Sequence, residues 1–314
     1  MKKFTEVADV NGVDQLLKSA LKLKKSPFAN QALGKDKTLI MLFFNPSLRT
    51  RLSTERAGLN LGMNVINMNA GQGWALEFED GAVMNIDKAE HIKEAAAVIS
   101  QYADVIGIRT FPSLTDREKD YQDAILHQFI QYASVPVLSM ESAIRHPLQS
   151  LTDLITIEEL KTVDRPKVVL TWAPHPRALP QAVSNSFLEW MQAGNVDLSV
   201  THPKGYELAP EFVKDTPVIY DQREAFAGAD FIYTKNWSPL DPYGKILNQD
   251  PDWMVTPDKM ALTNNAYFMH CLPVRRNVIV ADGVIDSPRS AVIQQAGNRT
   301  FAAQAVLKEI LENL

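Results

Sequence analysis

Strand-sized apolar runs alternate with amphipathic stretches along this chain, and no other feature restricts its fold so far. Residues 38–44 read as a buried strand, 49–61 as a helix and 63–68 as the next strand. Apolar residues recur at helical spacing over 88–102, and 104–109 is again strand-like. The strand expected over 135–140 carries its proline near the start, where a missing N–H matters least. A mostly polar stretch, 141–149, precedes a helix over 150–160. Asp164-Arg165-Pro166 makes a turn, after which the pattern restarts. It continues as strand 167–172, helix 181–193, strand 196–201, helix 206–213, strands 230–234 and 266–270, and an amphipathic helix over 300–314. Strands alternating with helices predict an α/β fold: two doubly wound parallel-sheet domains with helices on both faces, joined near 140–153.

At 314 residues the chain exceeds one simple core, so two domains are the natural division. A net charge of −5 supplies no bulk attraction to nucleic acid or to an anionic membrane, and neither partner is expected. One cysteine cannot close an internal disulfide, which fits a reducing cytoplasm. No apolar stretch of signal-peptide type follows the charged start, and the longest apolar runs are strand-sized. The six histidines lack ligand-like spacing, so no metal is expected. The absence of a Walker loop or a glycine-rich dinucleotide turn argues against a nucleotide-dependent enzyme, and no cofactor is implied.

Ligands of open α/β sheets sit beyond the carboxyl ends of the strands, and the chemically dense segments fall there. Asn45-Pro46-Ser47-Leu48-Arg49-Thr50-Arg51 follows the first strong strand. Hydroxyls and unpaired N–H groups at a helix start favour an anion, and Arg49 adds a planar fork suited to phosphate. Taken alone, the stretch fits a capped helix with solvent-facing arginines equally well. Three more strand ends alter the balance: Arg109, then His146-Pro147-Leu148-Gln149, then His270-Cys271-Leu272-Pro273. Each is weak singly. Together they supply arginine, histidine, glutamine and backbone donors for one anion.

That series, with Asp153 and the late pair Asn298-Arg299, resembles the aspartate/ornithine transcarbamylase superfamily over nearly the whole chain. The resemblance implies that Ser47, Leu48, Arg49, Thr50, Arg109, His146, Gln149 and Arg299 bind carbamoyl phosphate. It also implies that the Leu272 carbonyl holds the amide, with Cys271 beside the reacting centre, and that Arg109, His146 and Cys271 are the catalytic group. Residues 1–145 would form the carbamoyl phosphate domain and 146–314 the amino-acid domain, with a C-terminal helix from about 298 returning to the first. A homotrimer is implied too, in which Trp74, in the loop 71–79, would reach a neighbouring subunit's site.

The acceptor is read from departures within the resemblance. Where ornithine enzymes carry an aspartate that meets the free α-amine, this chain has Lys235, in Thr234-Lys235-Asn236-Trp237, and no Ser-Met-Gly follows. A lysine there would repel an α-ammonium and tolerate an acylated, neutral nitrogen. Trp172-Ala173-Pro174-His175-Pro176-Arg177, Met140-Glu141 and Val274-Arg275-Arg276-Asn277 are similar to the acylornithine branch, implying that Glu141, His175 and Arg275 contact the acceptor. The acetylornithine enzymes place a modified lysine eight residues after the cysteine, where this chain has Ile279. They place a glutamate where it has Ala89, and the succinylornithine enzymes place proline there. Small, neutral Ala89 leaves room for a longer acid chain that Arg275 would pair. The expectation is an N-succinylornithine acceptor, ahead of N-acetylornithine. A non-catalytic regulator that binds carbamoyl phosphate or an amino acid is the alternative of another class.

Overall fold

The computed structural model describes residues 1–71, 73 and 75–314, and the chain divides into two compact units. The first comprises Met1–Pro112, Glu118–Leu148 and Arg299–Leu314. Its strands are β1 (Lys3–Phe4), β2 (Thr38–Phe43), β3 (Asn64–Asn69), the short pair β4 (Leu76–Glu77) and β5 (Glu90–His91), β6 (Val105–Arg109) and β7 (Val137–Glu141). The main sheet runs β1-β7-β6-β2-β3, with every neighbouring pair parallel. The helices of this unit include α1 (Val13–Lys25), α2 (Arg49–Asn60), α3 (Ile92–Ile99), α4 (Arg117–Tyr121), whose first residue belongs to the second unit, and α5 (Ala124–Tyr132). β2 and β6 are near-continuous apolar runs because a central parallel strand is covered on both faces. Ile40, Leu42, Ile106 and Ile108 pack with Ile92 and Ala96 of α3 and with Leu126 and Phe129 of α5.

The second unit comprises Ser113–Arg117 and Gln149–Asn298. Helix α6 (Pro147–Leu160) opens it, and β8 (Lys167–Trp172), α7 (Ala182–Ala193), β9 (Asp197–Thr201), α8 (Pro210–Val213), β10 (Val218–Ile219), α9 (Gln222–Phe226) and β11 (Phe231–Lys235) follow. After these come α10 (Pro257–Met260), β12 (Tyr267–Met269), α11 (Asp282–Ile285) and α12 (Val292–Leu311), whose residues from Arg299 on belong to the first unit. This sheet is again parallel throughout, in the order β10-β9-β8-β11-β12. Its core packs Val169 of β8, Ile232 of β11 and Phe268 of β12 with Phe226, Val255, Val280 and Val292. Among the described residues, no helix is long and apolar enough to cross a membrane.

Several elements depart from the sequence reading, each for a physical reason. The helix expected over 88–102 begins only at Ile92, because Glu90 and His91 pair with Leu76 and Glu77 as strands. The His91 ring then caps the helix by accepting from the Lys93 N–H at 3.2 Å. The helix expected over 206–213 shrinks to Pro210–Val213. Pro210 has no N–H to give the Tyr206 carbonyl, as a continuous helix would require. That carbonyl takes the Trp237 indole N–H instead, at 2.8 Å. α6 begins at Pro147 rather than residue 150, with proline in the first turn where its missing N–H is not needed. α12 starts eight residues before the expected 300, and α1, α5 and β1 were not anticipated.

Candidate active site

In the first unit, β2 ends at Phe43 and α2 begins at Arg49, so residues 45–48 form the turn at the helix N-terminus. A helix of 12 residues places about half a positive charge there, beside unpaired N–H groups. Thr50, in the first turn, is buried, and its hydroxyl oxygen accepts a hydrogen bond of 2.7 Å from Arg299 Nη2. Ser47 and Arg49 are half-buried, whereas the Leu48 side chain is exposed.

Arg109, at the end of β6, shapes this turn. Its Nη1 donates to the carbonyls of Asn45 at 3.1 Å and Pro46 at 3.0 Å. Its other edge meets Glu141 Oε2, with Nε at 3.1 Å and Nη2 at 2.8 Å, and its plane lies over the Phe111 ring. His146 Nε2 lies 3.7 Å from the same carboxylate oxygen. The structure thus brings Arg109, Glu141 and His146 together, and separately Thr50 and Arg299. Glu141 closes β7 and is 7% exposed. Ala89 lies exposed just before β5, its N–H donating to the Ala75 carbonyl. Trp74 lies outside the described residues.

In the second unit, Gln149 and Gln295 both donate through Nε2 to Asp153 Oδ1, each at 2.7 Å. Gln295 Oε1 accepts from the His270 N–H at 3.0 Å, and His270 Nδ1 accepts from the Leu272 N–H at 2.8 Å. These interlocked bonds hold the turn that carries half-buried Cys271 and the Leu272 carbonyl; Leu272 has φ +54°. Beside them, burial and then the neighbouring Asp153 and Cys271 push the Tyr233 phenol well above its ordinary range. Gln295 and Tyr233 escaped the sequence reading. The clue available was a glutamine three residues before Asn298, at the spacing of one helix face.

Lys235 closes β11 and is only 8% exposed. Its ammonium donates to the Asn236 carbonyl at 3.0 Å, while the Asn236 amide donates to the Ala173 carbonyl at 2.7 Å. Those bonds tie the Lys235 strand end to the segment that carries His175. Arg275 Nε lies 3.1 Å from His175 Nε2. An arginine can only donate, so this contact uses Nε2 as acceptor, while Nδ1 lies 2.9 Å from the Arg177 carbonyl and 3.0 Å from the Arg177 N–H. Burial lowers the His175 pKa, and the positive charges of Lys235, Arg275 and Arg177 lower it further, opposed by its bond to the Arg177 carbonyl. The neutral form of the ring is thereby favoured. Lys235, His175 and Arg275 therefore form a cationic face with one neutral imidazole. Among the described residues, no group of three or more His, Cys, Asp or Glu side chains is placed to hold a metal.

The aspartate/ornithine carbamoyltransferase carbamoyl-P binding domain matches residues 2–159, and the Asp/Orn binding domain of the same family matches residues 180–310. The N-succinylornithine carbamoyltransferase of Bacteroides thetaiotaomicron is 58% identical, covering 100% of both chains. The crystal structure of an N-acetyl-L-ornithine transcarbamylase is similar with a TM-score of 0.92 at 36% identity, covering 99% of this chain and 100% of that one. A glutamate-to-alanine variant of an N-acetyl-L-ornithine transcarbamylase, complexed with carbamyl phosphate and N-succinyl-L-norvaline, gives 0.91 at 37% identity, with the same coverage.

Proposed function

Because the chain belongs to the aspartate/ornithine carbamoyltransferase family, we propose that it transfers the carbamoyl group of carbamoyl phosphate to the δ-amine of N-succinylornithine. The products are N-succinylcitrulline and phosphate, and the step belongs to arginine biosynthesis. The observation that carries this reading is the buried Lys235 ammonium beside neutral His175 and Arg275. An α-ammonium within ~4 Å of a cation is repelled by about 4 kcal/mol near a protein surface. An acylated nitrogen carries no such charge. The carboxylate that a succinyl group adds finds a cation in Arg275. Full-length identity of 58% to a succinylornithine enzyme, against 36% to an acetylornithine enzyme, supports the longer acyl group.

In this reading Ser47, the Leu48 backbone, Arg49, Thr50 and Arg299 hold the phosphate. Arg109 and His146 polarise the carbamoyl oxygen, and Gln149 and the Leu272 carbonyl hold the carbamoyl amine. The δ-amine, neutral when it attacks, adds to the carbamoyl carbon. Phosphate then leaves from a tetrahedral intermediate whose charge the arginines stabilise. No covalent enzyme intermediate is needed, so rate comes from positioning and electrostatics. Glu141, paired to Arg109, holds that guanidinium in place and reaches toward the acceptor's amine end. Cys271 lies beside the reacting carbon, and Ala89 leaves space for the acyl chain.

We also place the enzyme in the cytoplasm, which its single cysteine supports. We propose a homotrimer in which Trp74 completes a neighbour's site. Exposed apolar side chains on α2 and the edge strand β3, namely Leu52, Leu59, Ile66 and Met68, support an assembly surface there. The test is transfer of label from [14C]carbamoyl phosphate to N-succinylornithine and, separately, to N-acetylornithine. The reading expects a kcat/KM at least tenfold higher for the succinyl compound. Equal or reversed preference would assign the acetyl acceptor, and binding without transfer would make the protein a regulator.

A further inference from the structure

We infer that Asp153 is a positioning residue, which dictates that Gln149 presents its amide oxygen, and not its NH2 group, to the carbamoyl donor. The inference rests on the function proposed above and follows from counting donors and acceptors. Asp153 is fully buried, and its Oδ1 is approached at 2.7 Å by side-chain amides of both Gln149 and Gln295. A carboxylate oxygen can only accept, so each glutamine must turn its nitrogen toward it. The Gln149 carbonyl oxygen is thereby forced to the opposite side. For Gln295 the same constraint directs Oε1 to the His270 N–H at 3.0 Å.

A second consequence runs through the turn. With its N–H held by Gln295, His270 accepts the Leu272 N–H on Nδ1, at 2.8 Å. The Leu272 N–H is therefore occupied within the turn, and its carbonyl is the group that remains to meet a ligand. One buried carboxylate thus sets two acceptor oxygens, that of Gln149 directly and that of Leu272 through Gln295 and His270. Two acceptors match the two N–H bonds of a carbamoyl amine. They offer nothing to the methyl group of acetyl phosphate, which has nearly the same shape and charge. A site built to accept N–H bonds rejects an analogue without them because its buried oxygens are left unpaired. Asp153 touches no substrate and would act on donor choice through Gln149 and the turn.

The experiment measures, on the full-length enzyme, the KM for carbamoyl phosphate, the Ki of acetyl phosphate against it and the KM for N-succinylornithine. Asp153→Leu keeps the side-chain volume and removes the acceptor. The expected result is a KM for carbamoyl phosphate raised about tenfold or more, as for a lost buried hydrogen bond. The acetyl phosphate Ki and the N-succinylornithine KM should move less than twofold. Asp153→Asn retains an oxygen that can take both amides and should restore most of the preference. If Asp153→Leu does not fold, Gln295→Met replaces it: this variant frees the His270 N–H and should narrow the same preference. In a Gln149→Ala background, Asp153→Asn and Gln295→Met should then act only through the turn, and more weakly. A uniform loss against all three compounds, or an unchanged ratio of the two acyl phosphates, would overturn the inference while leaving carbamoyl transfer in place. Absence of carbamoyl transfer by the unaltered enzyme would instead sink the function and this inference with it.

Discussion

Lys235 and His175 illustrate how single side chains set chemistry through what surrounds them. Burial and three neighbouring cations disfavour the charged form of His175. Its folded pKa lies below the ordinary 6.5, so the unfolded chain binds that proton first as pH falls. The stability that the neutral ring contributes is full above the unfolded value and is lost as pH drops through 6.5 and below. Binding should follow the same sign, because a protonated ring can no longer accept from Arg275. We expect the KM for N-succinylornithine to rise on the acid side of 6.5, and His175→Asn to flatten that limb. A pH–KM profile from 5 to 8 measures it, and an unchanged acid limb in the variant would refute the role. Lys235→Met should lower kcat/KM for N-succinylornithine by ten- to a hundredfold, with less effect on ornithine. Steady-state kinetics with both acceptors checks whether the ratio between them falls.

At the scale of elements, the site depends on where helices start and stop. α2 ends near Gly62, which has φ +84° and donates its N–H to the Leu59 carbonyl at 3.1 Å. A Cβ added there would lie 2.2 Å from the Gln31 carbonyl oxygen. Gly62→Ala should therefore cost about 1–3 kcal/mol through left-handed strain and displaced backbone, read as a lower midpoint in urea unfolding. A midpoint unchanged within error would show that the turn relaxes freely. The buried strands were legible in the sequence because parallel strands covered on both faces are nearly all apolar, as in β2, β6 and β8. The motif residues were legible because they sit directly after those strands. The early start of α12 was not, since Gln294, Gln295 and Asn298 interrupt its apolar pattern. Gln295 and Asn298 are buried with bonds to Asp153 and Thr156, and exposed Gln294 bonds Glu159, partners that only tertiary structure reveals. The burial of Lys235 was not legible either, because a charge at a strand end shows no periodicity that tells burial from exposure. Residue types alone could not choose between a capped helix and an anion site at Ser47–Arg51; Arg109 at the carbonyls of Asn45 and Pro46 adds the missing neighbour.

For the whole molecule, the division of labour follows the two compact units. The first holds the helix N-terminus, Thr50, Arg299 and the Arg109–Glu141–His146 group, a set suited to a doubly charged phosphate. The second holds Lys235, His175 and Arg275, a set suited to an acceptor whose α-nitrogen is blocked and whose blocking group ends in a carboxylate. In the proposed function the second set refuses an unblocked amino acid while the first delivers the carbamoyl group. The direct measurement is a competition, with equal ornithine and N-succinylornithine supplied to the enzyme with limiting carbamoyl phosphate and both products separated. The expected outcome is N-succinylcitrulline with citrulline at or below about one part in a hundred, the ratio for a repulsion of a few kcal/mol. Comparable yields of the two products would contradict it.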